Sequence, residues 1–259
     1  MKHFLLKGWA GSGPLPLLVG KDYHYLVRVR RLTQGALLPV CTEQGLEGLC
    51  QVAKLGADSL TLTWKETFDP ASSSTSINQN HLPEITLYPF LLKSGKMEDV
   101  IRQACECGVR VIQPLSGEHC VGRLEGKIEI QKKVDRWNSI AREACQQSGR
   151  SWVVTVLAPV TPKDLPETLE TGHILLFFHE QPLAKASLHG YLACKPSHVG
   201  LIVGPEGGIS PNEVKLFLHR GYSPAHMGPG VLRAETASIA ALGAVNVILQ
   251  ESDSWTIPK

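Results

Sequence analysis

The sequence predicts an α/β protein in two parts: a small N-terminal β-barrel or curled sheet, then a larger domain on a parallel sheet. Three observations carry this. Residues 36–65 hold short apolar runs separated by turn signals. From residue 84 onward, apolar strand-like runs alternate with helical patterns. Between them, "ASSSTSINQNH" (71–81) is a polar, low-complexity stretch with little to bury, the composition of a linker. The resulting division is 1–70 for a first domain, 71–82 for the linker, 83–250 for a second domain and 251–259 for a tail.

In the first part, "ALLPVC" (36–41), "LCQVAK" (49–54) and "LTLTWK" (60–65) read as strands. Leu60, Leu62 and Trp64 share one face and Thr61, Thr63 and Lys65 the other, the period of a half-buried strand. In the second part, "EITLYPFLL" (84–92), "VRVIQPL" (109–115), "WVVTVLA" (152–158), "HILLFFH" (173–179) and "HVGLIVG" (198–204) read as strands. Helices are predicted over 96–108, over 129–149, near 161–170, and from the "AET" at 234–236 onward. In the long helix, Ile130, Val134, Trp137, Ala141 and Ala144 fall at spacings of three and four, while Lys132, Lys133, Arg136 and Arg142 lie largely off that face. Continuous apolar strands separated by helices imply a covered parallel sheet.

The bulk composition restricts function only broadly. The chain has 259 residues, 43% hydrophobic and 19% charged, with a formal charge of +2. That balance does not announce a nucleic-acid binder, although a local basic face can sit within a neutral total. The longest apolar runs fall short of the roughly 18 residues a bilayer span requires. The N-terminal apolar segment is too short for a signal peptide, and a cytoplasmic location is expected. Seven cysteines show no framework spacing, and paired CxxC or HExxH ligands are lacking, so no metal is expected.

Chemistry is concentrated in three loops. "GPEGGISPNEV" (204–214) follows an apolar strand and opens a helix. Ser210, Pro211 and Glu213 form a capping box with proline at the first helical position, so the helix start is secure. Gly204, Gly207 and Gly208 permit positive φ and close approach of a ligand to the backbone. Neither dinucleotide nor P-loop spacing is present. Glu206 beside a helix start would repel a phosphate, so a cationic or hydroxyl-rich ligand suits the turn better; a bare strand-to-helix turn is the alternative. "MGPGVLRAET" (227–236) gathers Arg233, Glu235 and Thr236 at the start of a helix. There Arg233 is either a free cation or the ion-pair partner of Glu235 or Glu206. "LLFFHEQP" (175–182) is a strand ending near Glu180.

At these residues the chain resembles the bacterial RsmE family, the uracil-N3 methyltransferases of 16S ribosomal RNA within the SPOUT superfamily. "HYLVRVRRL", "KSGKMEDVIRQACECGV", "RWNSIAREACQQSGR", "VGPEGGISPNEV" and "MGPGVLRAETA" carry the resemblance nearly end to end. It implies a PUA-like barrel, a SPOUT domain with a trefoil knot, S-adenosylmethionine as cofactor and a homodimer acting on the small ribosomal subunit. Carried over residue by residue, the cofactor loops are Phe178, His179 and Glu180; Val203, Gly204, Pro205, Glu206, Gly207 and Gly208; and Met227, Gly228, Pro229, Leu232, Glu235 and Thr236. Arg233 is the candidate for stabilising a uracil anion. Glu235 is a candidate base, or a structural residue at the helix start. Lys21, Arg28, Arg30, Arg31, Lys132, Lys133, Arg136 and Arg142 are candidate RNA phosphate contacts, with solvated faces as the alternative. The chain departs from the family pattern at Gly230, where arginine is usual, and at Gly117-Glu118-His119, where Ser-Glu-Arg is usual. Another RNA position as substrate, or an RNA-binding protein without activity, are the competing readings; a dinucleotide enzyme lacks its fingerprint.

Overall fold

The computed structural model describes residues 3–9, 11–42, 46–67, 83–93, 95–121, 126–148 and 152–250. The linker expected at 71–82 and the tail at 251–259 lie outside the described residues. The chain forms two compact units, Met1–Ser76 with Cys145–Val153, and Ile77–Ala144 with Val154–Lys259.

The smaller unit holds a five-stranded sheet. Its strands are β1 (Phe4–Leu6), β2 (Leu18–Val19), β3 (Leu37–Thr42), β4 (Glu47–Leu55) and β5 (Ser59–Thr67), in the order β1-β3-β4-β5-β2. β1 pairs parallel with β3, and the other pairs are antiparallel. The alternation in β5 has its expected effect: Leu60 and Leu62 are buried with Phe4, Leu6, Leu38, Val40 and Val52 in one core. Trp64 packs at this core's margin on Trp9, their ring centroids 4.6 Å apart. Gly48 makes room for it, because a Cβ there would run into the Trp64 ring and the Glu66 carbonyl. Between β2 and β3 the chain forms a helix that the strand-oriented reading missed: α1 (Gly20–Tyr23), continued by a wider π-helical turn, His24–Val29. Tyr23 and Leu26, three residues apart, are its buried anchors.

The larger unit holds a six-stranded sheet in which every pair is parallel. Its strands are β6 (Glu84–Pro89), β7 (Val111–Ile112), β8 (Thr155–Val156), β9 (His173–Phe178), β10 (His198–Val203) and β11 (Ser223–Ala225), in the order β11-β9-β10-β6-β7-β8. The expected strands at 109–115 and 152–158 shrink to two residues each, leaving Leu115 in isolated bridges to Phe90 and Val160. Pro114 and Pro159 have no amide to donate to a ladder. Asn138 covers the β8 edge, its side chain accepting from the Val156 amide at 3.0 Å and donating to the Val156 carbonyl at 2.7 Å. The helix expected near 161–170 is only a 3-10 turn, Pro162–Asp164, because Pro166 follows it at once. β11 and the short α4 (Leu188–Leu192) went unpredicted, being too brief to show a period.

The remaining helices are α2 (Lys96–Glu106), α3 (Lys127–Ser148), α5 (Pro211–His219) and α6 (Ala234–Gln250). α2 stops where Gly108 takes φ +88°. α6 packs on α2 and on β6 and β10, and α5 packs on β11. Strand order reverses between β10 and β6, the kind of position at which open α/β sheets hold ligands. Among the described residues no helix is long and apolar enough to cross a membrane.

Gly48→Ala tests the packing of the smaller unit. The added methyl meets backbone as well as the indole, so the variant is expected to lose about 1–3 kcal/mol in urea denaturation.

Candidate functional site

A cavity of about 300 Å³ opens at the C-terminal ends of β9, β10 and β11. Its walls are Phe178, His179 and Glu180 after β9; Val203, Gly204, Pro205, Glu206, Gly208 and Ile209 after β10; and the segment from His226 to Arg233 after β11, except Pro229. Ala234 and Ala237 of α6 complete it. The parallel register explains this gathering. Phe178 pairs with Val203 and with Ala225, so the three strands end level and release their loops together. The loops are then tied to one another: the His179 amide donates to the Ala225 carbonyl at 3.0 Å, and His226 Nδ1 donates to the His179 carbonyl at 3.1 Å. His179 Nδ1 accepts from the Gln181 amide at 3.0 Å, so a neutral His179 carries its proton on Nε2.

The glycine turn and the start of α5 are built as one piece. The Ser210 hydroxyl accepts from the Glu213 amide at 3.2 Å, and Glu213 Oε2 accepts from the Ser210 amide at 2.8 Å. Both residues are buried. Glu213 Oε1 also accepts from the Glu118 amide at 2.9 Å, which draws the 117–120 loop against the turn. Gly117 is required for that approach, since a Cβ there would collide with Phe90 and with the Glu213 carboxylate. His119 then caps the turn, with Nδ1 3.0 Å from the Gly207 carbonyl and 3.1 Å from that of Gly208. Two carbonyls can only accept, so Nδ1 carries the proton.

This alters the reading of the glycines. Gly204 is needed because a Cβ would press on Ile209 Cγ1 at 2.8 Å, and a Cβ at Gly207 would meet His119 Cβ at 3.1 Å. Gly208 alone of the three needs positive φ, +74°. Gly207, Pro229, Glu235 and Thr236, expected in the cofactor loops, are outside the set of residues lining the cavity.

The charges are arranged differently from either sequence expectation. Lys96, which the sequence reading left unassigned, holds both carboxylates: its Nζ is 3.3 Å from Glu206 Oε1 and 3.2 Å from Glu235 Oε2. Arg233 is exposed and makes no ion pair or side-chain hydrogen bond among the described residues. The structural role offered for Arg233 therefore belongs to Lys96. Glu235 is held below the usual carboxylate range, first by a main-chain N–H of its own residue and then by Lys96. A carboxylate so stabilised as an anion is a weaker base for proton abstraction. The Glu235 bond lifts Lys96 above the ordinary lysine range, and Glu206 adds to this.

The RNA-contact candidates divide. Lys21, Arg28 and Arg31 are exposed on the helical segment of the smaller unit and just after it, and Arg30 keeps one guanidinium nitrogen, Nη1, buried with no hydrogen-bond partner among the described residues. Lys132 and Lys133 are exposed on α3. Arg136 is instead engaged with Glu98 at 2.9 Å, and Arg142 Nε donates to the Asn138 carbonyl of its own helix at 3.2 Å. Burial pushes the thiols of Cys41 and Cys50 up to about 12 and about 11, and no cluster suited to a metal occurs among the described residues.

The cavity suits S-adenosylmethionine by its donor set. Apolar walls from Phe178, Val203, Ile209, Met227 and Leu232 accept a ring face, and loop backbone supplies hydrogen bonds. The carboxylates of Glu180 and Glu206 favour a cation over a phosphate.

Glu235 gives a pH test. Its folded pKa is depressed, so its stabilisation is present above the unfolded carboxylate pKa and is lost as pH falls through the folded one. Glu235→Gln is expected to be less stable than wild type at pH 7, and the two melting curves should converge on acidification.

Residues 78–246 match the RNA methyltransferase domain family, and residues 18–63 match the RNA methyltransferase PUA domain family. Ribosomal RNA small subunit methyltransferase E of a Synechocystis species is 32% identical over 236 residues, covering 90% of this chain and 73% of that protein. A Legionella pneumophila protein described as a methyltransferase, solved with bound S-adenosylmethionine, is 26% identical with a TM-score of 0.76 and covers 95% of this chain and 98% of its own. The fold is also that of ribosomal RNA small subunit methyltransferase E from Neisseria gonorrhoeae, 23% identical, TM-score 0.78, covering 96% of this chain and 98% of the other. With the PUA-related sheet in the smaller unit and the all-parallel sheet carrying the cavity in the larger, the chain belongs to the RNA methyltransferase family that includes ribosomal RNA small subunit methyltransferase E.

Proposed function

We propose that the protein is an S-adenosylmethionine-dependent methyltransferase acting on N3 of a uridine in 16S ribosomal RNA of the small subunit. The observation that carries this is the cavity at the level ends of β9, β10 and β11, with an exposed Arg233 on its wall. The cofactor supplies a methyl group already activated on a sulfonium. The chain then has to hold two partners in line, exclude water and favour the anionic form of the base. Phe178, Val203, Pro205, Met227 and Leu232 enclose the cofactor, while Gly204 and Gly208 bring main chain to the cavity wall without a side chain of their own. Arg233 faces charge that develops on O2 or O4 as N3 loses its proton. An arginine stays protonated, so its part is stabilisation and not proton removal.

The smaller unit is proposed to close as a PUA-like barrel and to contact RNA through Lys21, Arg28, Arg30 and Arg31, with Lys132 and Lys133 of α3 as further phosphate contacts. Domain limits of 1–70 and 83–250 follow from that division. The larger unit is proposed to thread its loops as a trefoil knot, and the protein to act in the cytoplasm as a homodimer. Support for the dimer comes from α6, where Ala240 and Val247 are exposed and a Cβ added at Gly243 would meet nothing within 4 Å. That is a small-residue face able to approach a second copy closely. Sedimentation should give a dimer at micromolar concentration; a monomer across the whole range rejects it.

The function is tested by incubating small subunits with labelled S-adenosylmethionine and identifying the modified nucleoside by mass spectrometry. N3-methyluridine is expected, another methylated nucleoside redirects the substrate, and absence of transfer favours a binding protein without activity. Arg233→Ala should slow single-turnover transfer by ~100-fold or more while leaving cofactor affinity nearly unchanged. Lysine there should recover only part of the rate, keeping the charge without the planar fork.

A further inference from the structure

Two acidic residues held by one cation, one on the cavity wall and one next to it in sequence, need an explanation, and Lys96 supplies it. Lys96 is the first residue of α2, which follows β6; Glu206 lies in the turn after β10; Glu235 lies in the first turn of α6. β6 and β10 are the neighbours between which strand order reverses. The ammonium therefore spans this reversal, with Glu206 at 3.3 Å on one side and Glu235 at 3.2 Å on the other. Glu206 lines the cavity, and Glu235 directly follows Ala234, which also lines it.

We propose that Lys96 is a positioning residue for the cofactor cavity, fixing the glycine turn against the start of α6 by holding Glu206 and Glu235 with one charge. Without it, the two carboxylates that share its ammonium are left close together with no cation between them, and their repulsion drives the loops apart. Pro205 and Gly208, within the same turn, would move with Glu206. The ammonium is not itself on the cavity wall, so its effect reaches a ligand only through the two loops. This role rests on the cavity being the S-adenosylmethionine site.

The test uses the full-length protein and S-adenosylmethionine titrations in four forms: wild type, Lys96→Met, Glu206→Gln and the double variant. The side chain of Lys96 is 37% exposed, so Lys96→Met is expected to fold, and Lys96→Gln replaces it if it does not. Lys96→Met should weaken cofactor binding by ~10-fold or more, the size of effect expected when charged neighbours are coupled. The same substitution in the Glu206→Gln background should have a clearly smaller effect, because one of the two opposed charges is gone. Lys96→Arg should stay within ~3-fold of wild type, since it can hold both carboxylates. Equal losses in the two backgrounds, or wild-type affinity in Lys96→Met, overturn the proposal. Amide hydrogen exchange on the cofactor-free protein separates this from the functional reading. Faster exchange at Gly207, Gly208 and residues 234–236 in Lys96→Met supports the clamp even if wild type fails to bind S-adenosylmethionine, which would instead sink the cofactor assignment. Unchanged exchange there overturns the clamp.

Discussion

Every strand of the larger sheet runs in the same direction, and the site depends on that constraint. Parallel strands need long crossovers, so successive C-terminal loops collect at one edge instead of alternating between two. Three neighbouring strands, β9, β10 and β11, end level with one another, and their loops meet without any single loop being long. Strand order also reverses beside them, between β10 and β6. A cavity in this place is a consequence of topology; its chemistry is set by what the loops contain.

That chemistry turns on an imbalance of charge. Glu180 and Glu206 line the cavity, whereas Lys96 is turned to Glu206 and Glu235 behind it. Two carboxylates against the single guanidinium of Arg233 leave the wall negative, a poor receptor for phosphate and a good one for a cation. Arg233 is the exception on the wall. Lys96 engages Glu206 and Glu235, and Arg233 stands exposed with no ion pair among the described residues, its charge reaching Glu235 only through a longer-range attraction. A permanent cation at an exposed position on the wall is available to an incoming anion, as a deprotonated base would be.

Much of this was legible in the sequence because it is local. The period of 60–65, the capping box at Ser210 and the apolar faces of the long helices are set within a few residues, and the structure has them. The convergence of three loops was inferable once parallel strands were. What could not be read was pairing across distance. Nothing near Lys96 in sequence indicates Glu206 or Glu235, more than a hundred residues away, and Arg233 was the nearer and more obvious partner. Short elements were lost for a related reason: α1, α4 and β11 are held by tertiary contacts and do not complete a readable period. The strands at 109–115 and 152–158 were overextended because apolar runs persist on both sides of the two residues in each that keep regular pairing.

The departures at Gly117 and His119 take on a different meaning in three dimensions. From sequence they subtract a hydroxyl and a guanidinium and suggest weakened function. In the fold they work together: the missing Cβ at Gly117 lets its loop press against Phe90 and the Glu213 carboxylate, and that approach brings His119 over the Gly207 and Gly208 carbonyls. The glycine turn is thus gripped from the 117–120 loop through its backbone and from α2 through Glu206. A turn chosen for small residues has few side chains of its own to define its shape, so its geometry has to come from neighbours. Gly230 is a different case, because a Cβ there would meet nothing within 4 Å. The space for a larger side chain remains, and the loss of positive charge at that position is not compensated by packing.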